Sequence, residues 1–122
     1  MPQNARTPET DVVDFRAAEL LLDVRDPQGA VKLLDPIIEN HPEQLSVRLL
    51  RGRAYFLSAQ LRRAEADFRV IVEREPDNAY AHYVLGRTLE RGGRDDEARP
   101  HFRLAAALDP RPDFWEAAGF GD

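Results

Sequence analysis

Apolar residues recur along the chain at helical spacing rather than in the strict alternation of strands. Two such runs stand out in the last third of the sequence, and the dipeptide Gly92-Gly93 separates them. They consist of Ala81, Leu85 and Leu89, and then of Ala98, Phe102 and Ala105. Because glycine commonly ends helices, this pattern predicts two helices joined by a short turn.

The same pattern recurs every 34 residues along the chain. Pro42, Pro76 and Pro110 stand at this interval, and five other columns keep residue size and polarity at the same step. The columns are Ala18, Gly52 and Gly86; Leu21, Tyr55 and Leu89; Ala30, Ala64 and Ala98; Leu34, Phe68 and Phe102; and Ile37, Ile71 and Ala105. An internal repeat of this length indicates a stack of similar units. The units are 11–44, 45–78 and 79–112, each predicted to be two antiparallel helices whose small residues allow close packing.

This pattern resembles the tetratricopeptide repeat (TPR) family, whose unit is also 34 residues long. The third unit matches best, with small, large apolar, aromatic and proline residues at the family's positions. These residues are Leu85, Gly86, Leu89, Ala98, Phe102, Ala105 and Pro110. The resemblance implies an all-α solenoid of three helical hairpins with a short C-terminal capping helix. Arg51 departs from the family pattern, and Pro36 and Pro100 predict kinked or locally irregular second helices because proline lacks an N–H donor.

The two ends of the chain fall outside the repeats. Residues 1–10 are expected to form a disordered tail, although Thr7 could cap the first helix. Residues 113–122 include the apolar side chains of Phe114, Trp115, Ala118 and Phe120. They either form a helix that caps the third unit or present Trp115 and Phe120 to a partner or a second copy.

Composition restricts the classes of protein that remain. A chain of 122 residues without cysteine offers one small domain, no disulfide and no thiolate metal site. A net charge of −5 disfavours nucleic acid as a partner. No apolar run is long enough to span a membrane and no secretory signal opens the sequence, so we expect a cytoplasmic protein without membrane association.

Candidate catalytic residues are sparse, so we expect no enzyme activity. The histidines are His41, His82 and His101, and the serines are Ser46 and Ser58, with no catalytic motif around them. The acidic run 95–97 opens a helix, where carboxylates favour the positive end of the helix dipole. We therefore expect no metal and no cofactor.

The resemblance places a partner-binding groove on the first helices of the units. The residues at the groove positions are Phe15, Glu19, Leu49, Arg53, Phe56, Tyr80, Tyr83, Arg87 and Arg91. Tyrosine and phenylalanine provide rigid contact area and arginine suits carboxylates, which implies a protein or peptide ligand with apolar and acidic groups. The alternative is that the arginines only pair with neighbouring acids such as Glu19 and Glu90.

One TPR subfamily holds the acidic C-terminal tails of large chaperones through a Lys/Asn/Arg clamp. At the clamp positions this chain has Phe15, Glu19 and Leu50, which argues against that role. The predicted function is protein binding, as a small adaptor, assembly factor or chaperone-like scaffold.

The alternative function is structural self-association, for example as a homodimer, with the groove occupied by the C-terminal tail. The charge distribution permits it, since the first unit carries a net −5, the second +2, the third +1 and the last ten residues −3.

Overall fold

The computed structural model describes residues 6–120, which form seven α-helices. The helices are α1 (Pro8–Asp23), α2 (Pro27–Asn40), α3 (Leu45–Leu57), α4 (Leu61–Arg74), α5 (Ala79–Arg91), α6 (Asp95–Leu108) and α7 (Pro112–Ala117). Helices α1 and α2, α3 and α4, and α5 and α6 pack as hairpins. Because α2 also packs against α3, and α4 against α5, the hairpins stack into a solenoid, which confirms the predicted fold class.

The core runs through the stack and is built from the repeated columns. Ala30, Ala64 and Ala98 are buried, and each lies in a second helix where its small side chain lets the two helices of a hairpin approach. One apolar cluster belongs to α1, α2 and the inner face of α3, and the other joins α4 to α7 with Tyr55. The period seen in the sequence is therefore a period of packing contacts.

The three hairpin turns share one backbone conformation. Arg25, Ala59 and Gly93, which are 34 residues apart, have φ of 64°, 61° and 79°. In each turn the next residue's N–H donates to a carbonyl five residues earlier, as in Asp26 to Leu21 at 2.7 Å, which closes the C-terminus of the first helix. Only the third turn has the glycine that this left-handed conformation favours.

Side chains cap several helix starts. The Asp26 carboxylate accepts from the Gly29 N–H at 2.9 Å and Asn78 accepts from the Ala81 N–H at 3.0 Å. Thr7 caps α1 in the same way, so helix α1 begins at Pro8. The expected disordered tail over residues 1–10 is therefore wrong for residues 8–10, and residues 1–5 lie outside the described part.

The two internal prolines do not interrupt their helices. Helix α2 continues through Pro36, and α6 continues through Pro100. Local irregularity was predicted for these helices and is not observed, whereas the predicted kinks stay a prediction. Pro36 and Pro100 both lie beyond the first turn, so each helix lacks one backbone hydrogen bond without ending there.

Helix α7 caps the third unit. Phe114 is 2% exposed, its ring centroid lies 4.7 Å from that of Tyr83 on α5, and Ala118 is also buried. Trp115 and Phe120 are instead 45% and 48% exposed, and their ring centroids lie 4.9 Å apart with the ring planes tilted by 54°. The cap thus uses Phe114 and leaves the other two aromatic rings accessible.

Candidate partner-binding groove

A small apolar pocket opens between α3 and α5 on the face formed by the first helices. Its volume is about 200 Å³. It is lined by Arg53, Phe56, Leu57, Phe68, Tyr80, Tyr83, Val84 and Arg87. Five of these residues are among the nine groove positions expected from the sequence. Helical spacing explains the set, because residues three, four and seven apart share one helix face.

Two arginines stand at the edge of this pocket at equivalent positions of successive repeats. Arg53 is exposed and makes no ion pair within residues 6–120. Arg87 approaches only Glu90, at 3.8 Å, with both side chains about half exposed. Glu19 pairs with Arg16 on its own helix at 3.2 Å. A contact as long and exposed as that of Arg87 holds the side chain weakly, so both guanidinium groups can reach a ligand.

Arg91 has a different role from the other groove arginines. Its Nη1 donates to the Phe56 carbonyl oxygen at 2.8 Å, and its guanidinium lies 4.9 Å from the centre of the Phe56 ring. These contacts join α5 to α3 across the groove. Arg91 therefore fixes one wall of the pocket.

Two of the other groove positions, Phe15 and Leu49, line separate depressions. Phe15 lines a larger cavity of about 500 Å³ between α1, α2 and α3. Its other lining residues are Pro8, Asp11, Val12, Arg16, Ile37, His41, Gln44, Ser46 and Val47. Leu49 lines a third depression, with Ile71 and Asn78 among its neighbours. Glu19 lines none of these three depressions.

Phe68 and Val84 line the α3–α5 pocket but were not expected to do so. Phe68 belongs to a repeated core column, and only part of its ring reaches the pocket wall. Val84 is half-buried and follows Tyr80 by four residues. The helical spacing from Tyr80 could have indicated Val84, whereas nothing in the repeat distinguishes Phe68 from a purely internal residue.

A family model with the description "Tetratricopeptide repeat" matches residues 15–60 and 58–111, which together cover most of the chain. This chain belongs to the tetratricopeptide repeat family. TPR units are generally protein-interaction modules, and this chain is such a module.

Curated relatives agree with this assignment. A TPR repeat-containing protein of Pseudomonas aeruginosa is 33% identical over 76% of this chain, and Superkiller complex protein 3 of Mus musculus is 29% identical over 66%. The chain spans 16% and 5% of the length of these two proteins.

Solved TPR structures share the fold. MamA superposes with a TM-score of 0.84 at 17% identity, covering 92% of this chain and 66% of that chain. The first TPR domain of Spaghetti (RPAP3), bound to the HSP90 peptide SRMEEVD, superposes with a TM-score of 0.84 at 15% identity, covering 93% and 90%. At these identities the similarity shows the fold alone.

The second TPR unit contains a buried ion pair behind the groove. Arg51 stands where the third unit has Leu85, and it donates to both carboxylate oxygens of Asp67, at 2.7 and 2.9 Å. It also donates to Asp35 on α2 at 3.0 Å, which links two successive hairpins. These bonds raise the pKa of Arg51 above its ordinary value, with the Asp67 hydrogen bonds as the largest cause. The departure from the family pattern is thus compensated by a fork of charged hydrogen bonds.

The third TPR unit has His101 at the position of Asp67 and His82 at the position of Arg48, whose Nη1 lies 3.6 Å from the Asp67 carboxylate. His82 is buried, its Nε2 lies 2.8 Å from the Pro76 carbonyl oxygen, and its Nδ1 lies 3.1 Å from Nδ1 of His101. A carbonyl only accepts, so Nε2 of His82 carries the proton and, in the neutral pair, Nδ1 of His101 donates to Nδ1 of His82. Burial, the neighbouring His82 and Arg69 lower the pKa of His101, against an opposing effect of Glu97. The expectation for His101, exposed or partly packed, omitted this bond.

Within residues 6–120, no helix is both long enough and apolar enough to cross a bilayer. The same residues contain no cluster of three His, Cys, Asp or Glu side chains arranged to hold a metal ion.

Proposed function

We propose that this TPR module binds a segment of another protein in its concave groove, as a small cytoplasmic adaptor, assembly factor or chaperone-like scaffold. The ligand inserts an apolar side chain into the α3–α5 pocket and places an acidic group on Arg53 and Arg87. It binds as an extended or helical peptide, the two modes that grooves of this kind accept.

The observation that carries the proposal is the position of two weakly engaged arginines at the edge of one apolar pocket. Arg53 and Arg87 both line it, together with the rings of Phe56, Tyr80 and Tyr83. A guanidinium group forms paired hydrogen bonds with a carboxylate, and these bonds strengthen beside an apolar surface that excludes water. Aromatic side chains add contact area at low entropic cost.

The size of the pocket limits what it accepts. A volume of about 200 Å³ accommodates one apolar side chain and not a cofactor-sized molecule. An isolated pocket with two exposed cations supports a modest affinity, because exposed charge pairs contribute little individually. We therefore infer a reversible interaction in which the acidic group provides much of the selectivity.

The RPAP3 structure supports the general class of ligand, since that TPR domain is bound to an acidic HSP90 peptide. The clamp positions of this chain, Phe15, Glu19 and Leu50, nevertheless lack the lysine and asparagines of chaperone-tail binders. The proposal therefore extends to acidic, apolar segments and not to chaperone tails.

A pull-down with a charge-reversed groove tests the proposal. Immobilised wild type and an Arg53→Glu, Arg87→Glu variant are incubated with a library of peptides that combine apolar and acidic residues. We expect the variant to lose bound peptides by about tenfold, as for loss of a charged hydrogen-bond partner. The matched control is Arg74→Glu, Arg103→Glu, which makes the same charge change on exposed positions of α4 and α6. Equal binding by wild type and the groove variant would refute the groove as the site.

A second candidate contact surface lies on the C-terminal helix. Trp115 and Phe120 are exposed and contact each other in a tilted arrangement, and aromatic side chains often anchor interfaces. No residue of α7 lines the α3–α5 pocket. The self-association alternative thus requires the acidic tail of one copy to reach the arginines of another. Replacing both rings with alanine and measuring the molar mass in solution tests it, and an unchanged mass in a self-associating protein would exclude the tail.

A further inference from the structure

The outward face of α1 carries an apolar stripe opposite the core. Val13, Leu20 and Val24 are 63%, 64% and 71% exposed, and Ala17 completes the stripe at helical spacing. The buried residues of the same helix, Ala18 and Leu22, lie on the other side. These side chains are among the most exposed large apolar residues of the described chain.

The repeat shows what this stripe is suited to contact. Val13, Ala17 and Leu20 occupy the positions of Ala81, Leu85 and Thr88 in the third unit, 68 residues later. Those three equivalents are buried, and α5 packs there against the preceding second helix, α4. The positions also correspond to the buried Val47 and Ala54 of α3, against which α2 packs. The stripe on α1 is therefore a helix-stacking face, and within residues 6–120 no helix covers it.

Charged residues beside the stripe favour pairing with a copy of itself. Glu9, Arg16 and Asp23 follow one another at intervals of seven residues along one edge of the stripe, so their charges alternate in sign. All three are exposed, and Arg16 contacts only Glu19, at 3.2 Å, with 75% of its side chain accessible. In an antiparallel pair related by a two-fold axis near Leu20, the Arg16 of each copy faces the Asp23 of the other.

The C-terminal end of a second copy is a poor partner for the α1 stripe. Helix α7 packs against α6, where the first helix of a further unit would stack. A second copy stacked head to tail would have to displace α7 and its buried Phe114. Pairing of α1 with α1 leaves the cap undisturbed.

We propose that two copies of this protein associate through antiparallel packing of their α1 helices, with Ala17 allowing close approach and Arg16–Asp23 pairs on one edge. The apolar stripe is short, so the interface is small and the dimer dissociates reversibly. By helical spacing the groove position Phe15 lies on the side of α1 opposite the stripe, so the dimer would carry two separate grooves. This proposal does not depend on the proposed ligand of the groove.

Charge reversal in two complementary variants tests the pairing by sedimentation equilibrium. Arg16→Asp and Asp23→Arg each place like charges in both Arg16–Asp23 contacts of the homodimer, whereas an equimolar mixture restores opposite charges in the heterodimer. We expect the dissociation constant to rise about tenfold or more for each variant alone and to return towards the wild-type value in the mixture. The double variant Arg16→Asp, Asp23→Arg should also recover association.

The control is Arg74→Asp, which makes the same charge change at an exposed position of α4 and should leave association unchanged. Circular dichroism verifies that helicity is equal in all variants. Leu20→Glu provides an independent disruption of the apolar stripe. A wild type that stays monomeric up to about 1 mM, where even weak small interfaces associate, would overturn the proposal. Single charge variants that dimerise as the wild type does would overturn it as well.

Discussion

The ring of Phe68 lies so close to Gly52 that a Cβ atom on the glycine would stand 2.5 Å from a ring carbon. The third unit repeats this relationship between Gly86 and Phe102 at 2.6 Å. In the first unit the corresponding pair is Ala18 and Leu34, both fully buried. The same helix contact is thus formed by glycine with phenylalanine in two units and by alanine with leucine in the other. The larger phenylalanine ring requires the smaller glycine.

Gly52→Ala should destabilise the protein although alanine favours helix formation. The added methyl group forces Phe68 to move inside a packed core, at a cost of about 1–3 kcal/mol, against about 1 kcal/mol gained from helix propensity. We expect a net loss of about 1 kcal/mol in the free energy of unfolding, measured by urea denaturation. Combining Gly52→Ala with Phe68→Leu recreates the pair found in the first unit and should recover part of the loss. Strictly additive effects would contradict this explanation.

Glycine should stabilise the hairpin turn of the second unit, and its replacement should destabilise the turn of the third. Ala59 has φ of 61°, whereas Gly93 occupies the equivalent turn with φ of 79°. Ala59→Gly should stabilise the protein by about 0.5–1 kcal/mol because glycine adopts this conformation without steric cost. Gly93→Ala should destabilise it by about 1 kcal/mol, and no side-chain clash contributes because no heavy atom beyond the two chain neighbours lies within 4 Å of the added Cβ. Thermal unfolding of both variants measures the difference, and the same sign for both would refute the argument.

The fold could be predicted from the sequence because the repeat exposes it several times. Small residues, aromatic residues and prolines recur at one interval, and packing of similar helices leaves little freedom once the hairpin is defined. The C-terminal cap was one of two outcomes that the sequence left open, because apolar residues at the end of a stack can either cover it or contact another chain.

The partners of individual charged side chains could not be predicted in the same way. Arg53, Arg87 and Arg91 stand on one predicted face, yet Arg91 alone bonds to the Phe56 carbonyl oxygen across the groove. Such a bond depends on the distance between α3 and α5, which the period of the sequence does not specify. For the same reason the bond between His82 and His101, 19 residues apart, was not expected.

Removing one member of the buried ion pair should cost more than removing both. Asp67→Ala leaves the half-buried Arg51 without its main partner, and we expect a loss of about 3 kcal/mol in the free energy of unfolding. The double variant Arg51→Leu, Asp67→Leu places apolar residues at positions where other units have Leu85 and Leu33. It should be more stable than Asp67→Ala, because no uncompensated charge remains from this pair. Chemical denaturation of the three proteins checks the order, and a double variant less stable than the single one would contradict it.

The stability of the protein should fall as the pH decreases from 7 towards 5.5. The pKa of His101 is lowered in the folded protein, first by burial and then by the charges of His82 and Arg69, while Glu97 acts in the opposite direction. The unfolded chain therefore takes up a proton near the ordinary histidine pKa of about 6.5, where the folded protein resists it. The stability that depends on a neutral His101 is therefore complete above pH of about 6.5 and is lost as the pH falls below it.

The variant His101→Asn separates this effect from other titrations. Its amide N–H can still donate to Nδ1 of His82, but it does not titrate. We expect the free energy of unfolding to depend less on pH between 7 and 5.5 in the variant than in the wild type. Glu65 does not interfere in this range, because hydrogen bonds from Arg94 and Arg69 outweigh its burial and hold its pKa below the ordinary value. Equal slopes for the two proteins would show that the histidine pair does not control the acid sensitivity of the fold.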